Sequence, residues 1–188
     1  MSVSRPIPTG KEIKLDAKRF IVSKTDTAGK IVYGNDYFSD ISGYKESELI
    51  GAPHNILRHP DMPKAIFYLM WQHLKSGRNI MAVVKNLAKN GDHYWVVTDF
   101  DIKRDQAGNI RHYLAFRQAA PKHVVAAIEP IYSKLLEIED EHDMDASIAY
   151  LEGYLEEKRM NYDQFIEELA KPKGLTGMFF AKMKKMFA

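Results

Sequence analysis

The chain contains no cysteine. Disulfide bonds, thiolate catalysis, cysteine-ligated zinc and iron–sulfur clusters are therefore excluded. The sequence also lacks an uninterrupted run of about 18 apolar residues, the length that a membrane-spanning helix needs. Its first residues have no apolar core of the kind that secretory signals carry. These absences predict a cytoplasmic protein.

A strong excess of charge of either sign is missing as well. The 27 Lys and Arg residues nearly balance the 25 Asp and Glu residues, which leaves a net charge of +2. Nucleic-acid-binding domains usually have a marked basic excess, so no nucleic-acid partner is expected. With 45% hydrophobic residues the chain can form an ordinary globular core. Its 188 residues allow one domain with an appendage, or two small domains.

Residues 19–120 are predicted to form five strands and several helices. Runs of β-branched and aromatic residues, bounded by turn residues, predict strands at 19–23, 30–34, 80–87, 94–103 and 110–118. Short helices are predicted at 35–41 and 46–50, and a longer one at 64–74. We expect an α+β domain with the order strand, strand, helices, three strands.

The composition changes after Pro121, where apolar residues recur at helical spacing. Residues 121–188 are therefore predicted to form a helical region for signalling or dimerisation. Residues 1–18 are predicted to be an arm, with a short helix at most. The apolar and basic tail at 178–187 is interpreted as a partner-binding helix in preference to a segment that touches a membrane surface.

Two polar blocks carry most of the functional information. The first places His54, Arg58, His59 and Asp61 directly before the helix predicted at 64–74. The second, residues 86–95, contains an Asn-Gly turn between two predicted strands. Together they predict a pocket of fixed polar groups that holds a large charged ligand. Glycine-rich phosphate loops and nucleophile motifs are absent, so no catalytic residues are predicted and an enzyme is not expected.

These blocks and several shorter motifs resemble the PAS domain of the aerotaxis receptor family. The shorter motifs are Asn35-Asp36-Tyr37-Phe38, Ser42-Gly43-Tyr44, Glu48-Leu49-Ile50-Gly51 and Pro53-His54-Asn55. The most specific are Arg58-His59-Pro60-Asp61-Met62-Pro63 and Lys89-Asn90-Gly91-Asp92-His93-Tyr94-Trp95. The resemblance covers residues 19–120. It implies a PAS fold, a five-stranded antiparallel sheet with short helices on one face.

The resemblance also implies a function. Proteins of this family bind FAD non-covalently and report redox or energy state to a chemotaxis signalling protein. The family's cofactor-binding positions correspond here to Asn35, Arg58, His59, Asp61, Trp71 and Asn86. Family members continue into a membrane anchor and a signalling coiled coil, whereas the helical region follows in this chain. That difference implies a split arrangement, in which a soluble PAS protein works beside a membrane-bound transducer, with homodimerisation left open.

Each of the six positions also has a structural interpretation. Asn35 and Asp61 could cap helices, Arg58 could form a surface ion pair, and His59 could be a structural histidine. Trp71 could be core packing, and Asn86 could bond turn backbone. For a ligand, Arg58 offers bidentate pairing with a phosphate.

Other ligands remain open at this point. Heme is the alternative cofactor, with His54, His59, His73 and His93 as candidate axial ligands. FMN in place of FAD, or no cofactor at all, also fits the pattern. A metal site from His54, His59 and Asp61 matches no standard spacing, so none is predicted. Because adduct-forming flavin photoreceptors need a cysteine, a redox signal is favoured over light.

Overall fold

The structure is a computed structural model that describes residues 5–170 and 185–186. The partner-binding helix predicted at 178–187 lies outside these residues, except for Lys185 and Met186.

Five strands form one sheet with the order β2-β1-β5-β4-β3. The strands are β1 (Ile21–Asp26), β2 (Ile31–Gly34), β3 (Met81–Leu87), β4 (His93–Arg104) and β5 (Ile110–Ala119). The predicted α+β fold with a five-stranded antiparallel sheet is confirmed. β1 begins and ends later than the predicted 19–23. The strand continues past its predicted end because Lys24 and Thr25 pair with β5, as Ser23 does, although their side chains are polar.

Three short helices follow β2 and precede the longer helix at Lys64–Lys75. They are α1 (Asp36–Ser42), α2 (Glu46–Leu49) and a 3-10 helix at His54–Leu57. The N-cap of α1 is Asn35, and Gly43 ends the helix in the left-handed region at φ 72°. That backbone conformation favours glycine, and both ends of α1 agree with the prediction.

Longer helices make up most of the remaining chain. They are α3 (Lys64–Lys75), α4 (Lys122–Glu141), α5 (Met144–Glu157) and α6 (Tyr162–Ala170). α4 continues through Pro130, and its buried side chains include Val124, Ile128 and Leu135. Across the described ranges, every helix is either too short or too polar to cross a bilayer.

The described chain divides into two compact units. The first comprises the residues up to His59 together with Val84–Ala119. The second comprises Pro60–Val83 together with the residues from Ala120 onward. The second unit groups α3 and the start of β3 with the C-terminal helices. The division into a sensor domain at 19–120 and a helical region at 121–188 stays a prediction.

In the first unit, the N-terminal arm runs alongside the turn between β3 and β4. The His93 amide donates to the Lys11 carbonyl at 2.8 Å, and the Ile13 amide donates to the His93 carbonyl at 2.7 Å. Gly91 has φ +89°, and a Cβ there would lie 2.2 Å from the Ile7 carbonyl oxygen. The turn therefore requires glycine for its backbone conformation and for the close approach of the arm.

In the second unit, α4 and α6 hold both ends of the segment that contains α3. The Glu139 carboxylate accepts from the Lys64 and Ala65 amides at 2.9 and 2.8 Å, and so caps α3. Towards the other end, the Tyr132 hydroxyl donates to the Val83 carbonyl at 2.7 Å, and Asp163 accepts from the Met81 amide at 2.5 Å. Long-range side chains thus satisfy backbone groups that the local sequence leaves unpaired.

We predict that Glu139→Ala lowers the free energy of unfolding by about 1 kcal/mol, the usual effect of removing a helix N-cap. Glu139→Gln should lower it less, since an amide oxygen still accepts a hydrogen bond but loses the attraction to the helix dipole. The measurement is urea unfolding followed by circular dichroism.

The matched control is Glu137→Ala. It removes a carboxylate of the same helix, which pairs with Lys134 at the surface. It should leave the unfolding midpoint nearly unchanged. Equal effects of the Glu137 and Glu139 substitutions would contradict the assigned cap.

Candidate functional site

The first polar block meets the second through backbone pairing in the first unit. After the 3-10 helix the chain extends, and Arg58 and Asn86 form an isolated antiparallel bridge. Next to it, the buried His59 ring packs edge-on against His93, with the centroids 5.8 Å apart. The structure thus brings together Arg58, His59 and Asn86, which are three of the six predicted cofactor-binding residues.

Asn35 also lies in the first unit, and its side chain bonds three backbone groups. Its Oδ1 accepts from the amides of Val22 and Phe38, each at 3.1 Å. Its Nδ2 donates to the Phe20 carbonyl at 2.9 Å. The helix-cap interpretation is therefore realised, with an added link to β1, and a contact with a ligand stays a prediction.

Asp61 and Trp71 belong to the second unit. Asp61 is exposed in the turn before α3, and Pro63 occupies the N-cap position of that helix. Glu139 accepts from the first two amides of α3, and the helix-cap interpretation of Asp61 stays a prediction. Trp71 is half-buried on α3, whose fully buried side chains include Ile66 and Leu74. Cofactor contacts of Asp61 and Trp71 stay predictions.

A buried polar cluster in the first unit was missed at the sequence level. It consists of Ser23, His54, Tyr94, Thr98 and Arg117. The Arg117 side chain is only 5% exposed. Its Nη1 donates to Ser23 Oγ at 2.8 Å, and its Nη2 contacts His54 Nε2 at 3.0 Å. Over residues 5–170, no carboxylate forms an ion pair with this guanidinium.

The strand register places the other members on the same face. Thr98 of β4 lies directly opposite Arg117 of β5, and Tyr94 is four residues before Thr98 on an alternating strand. Both hydroxyls are buried, and within the described part of the chain the Thr98 hydroxyl completes no hydrogen bond. Burial raises the pKa of Tyr94, and a side-chain hydrogen bond with Asn86 lowers it by a smaller amount. The cluster is thereby continuous with the Arg58–Asn86 bridge.

The protonation of the cluster follows from its hydrogen bonds. A guanidinium can only donate, so His54 Nε2 accepts from Arg117 and the ring carries its proton on Nδ1. Burial of the ring, followed by the charge of Arg117, lowers the pKa of His54 to about 3. Burial lowers the pKa of Arg117 to about 10. At neutral pH the cluster therefore holds one positive charge and a neutral imidazole.

A local signal for Arg117 was present in the sequence. It follows the apolar run Tyr113–Phe116 and lies on the same face of the strand as Tyr113 and Ala115. A charged residue on the face of an otherwise buried strand indicates a buried partner or a ligand. The identities of its neighbours, Ser23 and His54, could not be read from local pattern because they come from distant segments.

The candidate heme ligands have other contacts. His54 Nε2 accepts a hydrogen bond from Arg117, and His73 Nδ1 donates to the Leu69 carbonyl at 3.0 Å. His59 and His93 pack against each other. In the part of the chain that the structure describes, no group of three or more His, Cys, Asp or Glu residues could hold a metal ion.

A cavity of about 310 Å³ lies elsewhere in the first unit. Its lining combines Ile13 of the arm with residues of α1 and of the β3–β4 turn, among them Asp40 and Lys89. The Lys89 ammonium pairs with Glu48 at 2.6 Å. None of the six predicted cofactor-binding residues lines this cavity.

Residues 31–117 match the family described as PAS fold. The aerotaxis receptor of Escherichia coli (strain K12) is 42% identical over 132 residues, which are 70% of this chain and 26% of the receptor. The bacterioopsin transcriptional activator of Halobacterium salinarum is 28% identical over 58% of this chain and 16% of the activator. The chain thus spans about a quarter or less of the length of these relatives.

Solved structures show the same fold at low sequence identity. An RNA-binding light-oxygen-voltage receptor has a TM-score of 0.53 at 20% identity, with 65% of this chain and 36% of that one covered. The dark structure of the photoreceptor Aureochrome1 LOV has a TM-score of 0.51 at 19% identity, with 65% and 88% covered. The chain therefore contains a PAS domain, and that domain is similar to the PAS domain of the aerotaxis receptor.

Proposed function

We propose that this protein is an FAD-binding PAS sensor that passes the redox state of its flavin to a chemotaxis transducer. The observation that carries the proposal is the meeting of Arg58, His59 and Asn86 at one edge of the sheet. They come from two segments separated by an entire helix, and they are three of the six residues that the aerotaxis resemblance assigns to the cofactor. The 42% identity with the aerotaxis receptor supports the same assignment.

The chemistry of the described residues fits such a cofactor. Arg58 can pair bidentately with a diphosphate, which FAD presents and heme does not. Asn86 and His59 offer donors and acceptors suited to the hydrogen-bonding edge of a flavin ring. The buried hydroxyl of Thr98 completes no hydrogen bond among the described residues, and a bound polar ring would supply a partner. The flavin would contribute electron acceptance, while the side chains hold it and exclude water.

The output follows from hydrogen-bond pairing on the sheet. Donors that contact the cofactor change partners when its charge changes, and the strands pass that change on to neighbouring elements. The receiver in this proposal is a separate membrane-bound transducer, with a homodimer as the possible signalling form. Catalysis has no part in the proposal, because a sensor needs only binding and a charge-dependent conformational change.

We predict that the purified protein is yellow, with the two broad flavin bands in the near ultraviolet and blue, and that heat releases FAD. Arg58→Ala should weaken flavin retention by roughly tenfold or more, because it removes a charge-assisted bidentate contact. Arg58→Lys should retain an intermediate amount of flavin, between that of Arg58→Ala and that of the unchanged protein. A lysine keeps the positive charge but cannot form the bidentate contact of a guanidinium. The measurement is the ratio of flavin to protein absorbance, followed by chromatography of the released cofactor.

The control for this series is Arg111→Ala, which removes an exposed arginine that pairs with Asp105 at the surface. It should retain flavin as the unchanged protein does. A sharp Soret band in the purified protein would favour the heme alternative. A colourless, folded protein that takes up no added FAD would contradict the proposal.

A second prediction concerns the behaviour of cells. In a strain that depends on this protein for aerotaxis, Arg58→Ala should abolish accumulation at an air boundary, because flavin loss removes the signal. Chemotaxis toward an amino acid should persist, since the transduction machinery is intact. Band formation in an oxygen gradient, scored beside an amino-acid gradient, measures both. Normal oxygen bands from cells whose Arg58→Ala protein is folded and flavin-free would contradict the assigned role of the cofactor.

A further inference from the structure

The start of α3 and the end of α4 carry charges that disfavour each helix by itself. Lys64 lies in the first turn of α3, which contains no acidic residue, and the N-cap residue Pro63 has no side-chain acceptor. The last turn of α4 contains Glu139, Asp140 and Glu141 and no basic residue. The helix dipole favours the opposite arrangement, with anions in the first turn and cations in the last turn.

The two helix ends compensate each other. The Glu139 carboxylate accepts from the amides of Lys64 and Ala65 at 2.9 and 2.8 Å. Both amides belong to the first turn, where N–H groups have no partner within the helix. A carboxylate 75 positions away thus makes a contact that usually comes from a side chain next to the helix. The order of the first turn of α3 therefore depends on the position of the end of α4.

The C-terminal helices also bond the first residues of β3, which follow α3 in the chain. The Met81 amide donates to Asp163 of α6 at 2.5 Å, and the Val83 carbonyl accepts from Tyr132 of α4 at 2.7 Å. β3 is the last strand in the sheet order, so its outer edge has no strand partner. Side chains of α4 and α6 therefore satisfy backbone groups that an edge strand leaves open.

Two of the C-terminal helices have caps of their own. At the start of α5, Asp143 accepts from the Ala146 amide at 2.8 Å. Before α6, Asn161 and Gln164 bond each other reciprocally at 3.0 and 2.8 Å, as in a capping box. Neighbouring residues thus define the starts of α5 and α6, whereas α3 takes an acceptor from a distant helix. The dependence therefore runs from α3 to the C-terminal helices.

We propose that Glu139, Tyr132 and Asp163 form a clamp through which the C-terminal helices control α3 and thereby the retention of flavin. This inference rests on the proposed flavin function, since α3 carries Trp71 and follows Asp61, two of the predicted cofactor-binding residues. The three clamp residues are positioning residues. They act on the backbone of the segment that contains α3, without contact with the cofactor.

The clamp links flavin binding to the end of α4 in both directions. A coupling between two sites changes both affinities by the same factor. If an ordered α3 favours flavin binding, bound flavin favours the closed clamp and orders the end of α4. A protein that pulls the end of α4 away from α3 should conversely weaken flavin binding. The C-terminal helices are thus both the output of the sensor and a control on its cofactor.

The test uses the full chain with Glu139→Ala, Glu139→Gln and the double variant Glu139→Ala/Pro63→Ser. The serine gives α3 an N-cap acceptor next to the helix. Glu137→Ala is the matched control, because Glu137 lies on the same helix and pairs with Lys134 at the surface. The FAD dissociation constant is measured for each protein. Hydrogen exchange of the amides in α3 and in the last turn of α4 is measured with and without FAD.

In the unchanged protein, FAD should slow exchange both in α3 and in the last turn of α4. Glu139→Ala should weaken FAD binding by about fivefold, the usual effect of one helix cap, and should remove most of the FAD effect on α4. Glu139→Gln should have an intermediate effect, since its amide oxygen still accepts. The double variant should regain FAD affinity without the response of α4, because α3 then has its own cap. The control should match the unchanged protein in both measurements.

A cap that serves only stability gives a different result. In that case Glu139→Ala lowers the urea midpoint, but the FAD dissociation constant and the FAD effect on α4 match those of the unchanged protein. That outcome overturns the clamp and leaves the flavin function standing, as does an unchanged protein that binds FAD without slower exchange in α4. If Glu139→Ala does not fold, Glu139→Gln and the double variant decide by the same two measurements. An unchanged protein that binds no FAD overturns both proposals.

Discussion

The positive charge of Arg117 inside the sheet is the constraint on which the first unit depends. A buried guanidinium needs acceptors, and it recruits Ser23 from β1 and His54 from the 3-10 helix. Its presence fixes His54 as a neutral acceptor, since protonation would place two cations side by side. The Arg117 side chain therefore ties His54 of the first polar block to the sheet, and it gives this face of the sheet its positive charge.

The alternation of side chains along β5 places Arg117 on one face of the sheet, but it also makes the buried polar cluster hard to recognise from the sequence. In β5, Arg117 lies on one face while Phe116 and Leu114 lie on the other, and all three are buried. An antiparallel sheet usually leaves one face in water, which gives a polar and apolar alternation. Because side chains on both faces of β5 are buried, the sequence of this strand is mostly apolar. Its pattern therefore does not show which face of the sheet carries the polar cluster.

Features that depend on residues close together in the sequence were predicted, whereas contacts between distant segments were not. The strands, the Asn35 cap and the Gly43 stop depend on neighbouring residues, and their types and approximate positions were predicted. The motif resemblance also identified Arg58 and Asn86, which the structure pairs. The contacts of Arg117 with His54 and of Glu139 with Lys64 span 63 and 75 positions. No local periodicity reports such contacts, so the buried polar cluster and the α3 cap became visible only in three dimensions.

Strand β3 offers a direct covalent route from the candidate site to the helical region. Its last residues, including Asn86, belong to the first unit, whereas Val83 belongs to the second. The carbonyl of Val83 accepts from Tyr132 of α4, whose hydroxyl also bonds Tyr162 of α6 at 2.6 Å. A buried hydrogen bond is costly to break without replacement, so a displacement of the strand at Val83 must either move the Tyr132 hydroxyl or break this bond. Strand β3 thus contains Asn86, a predicted cofactor-binding residue, and its residues Met81 and Val83 bond side chains of the C-terminal helices.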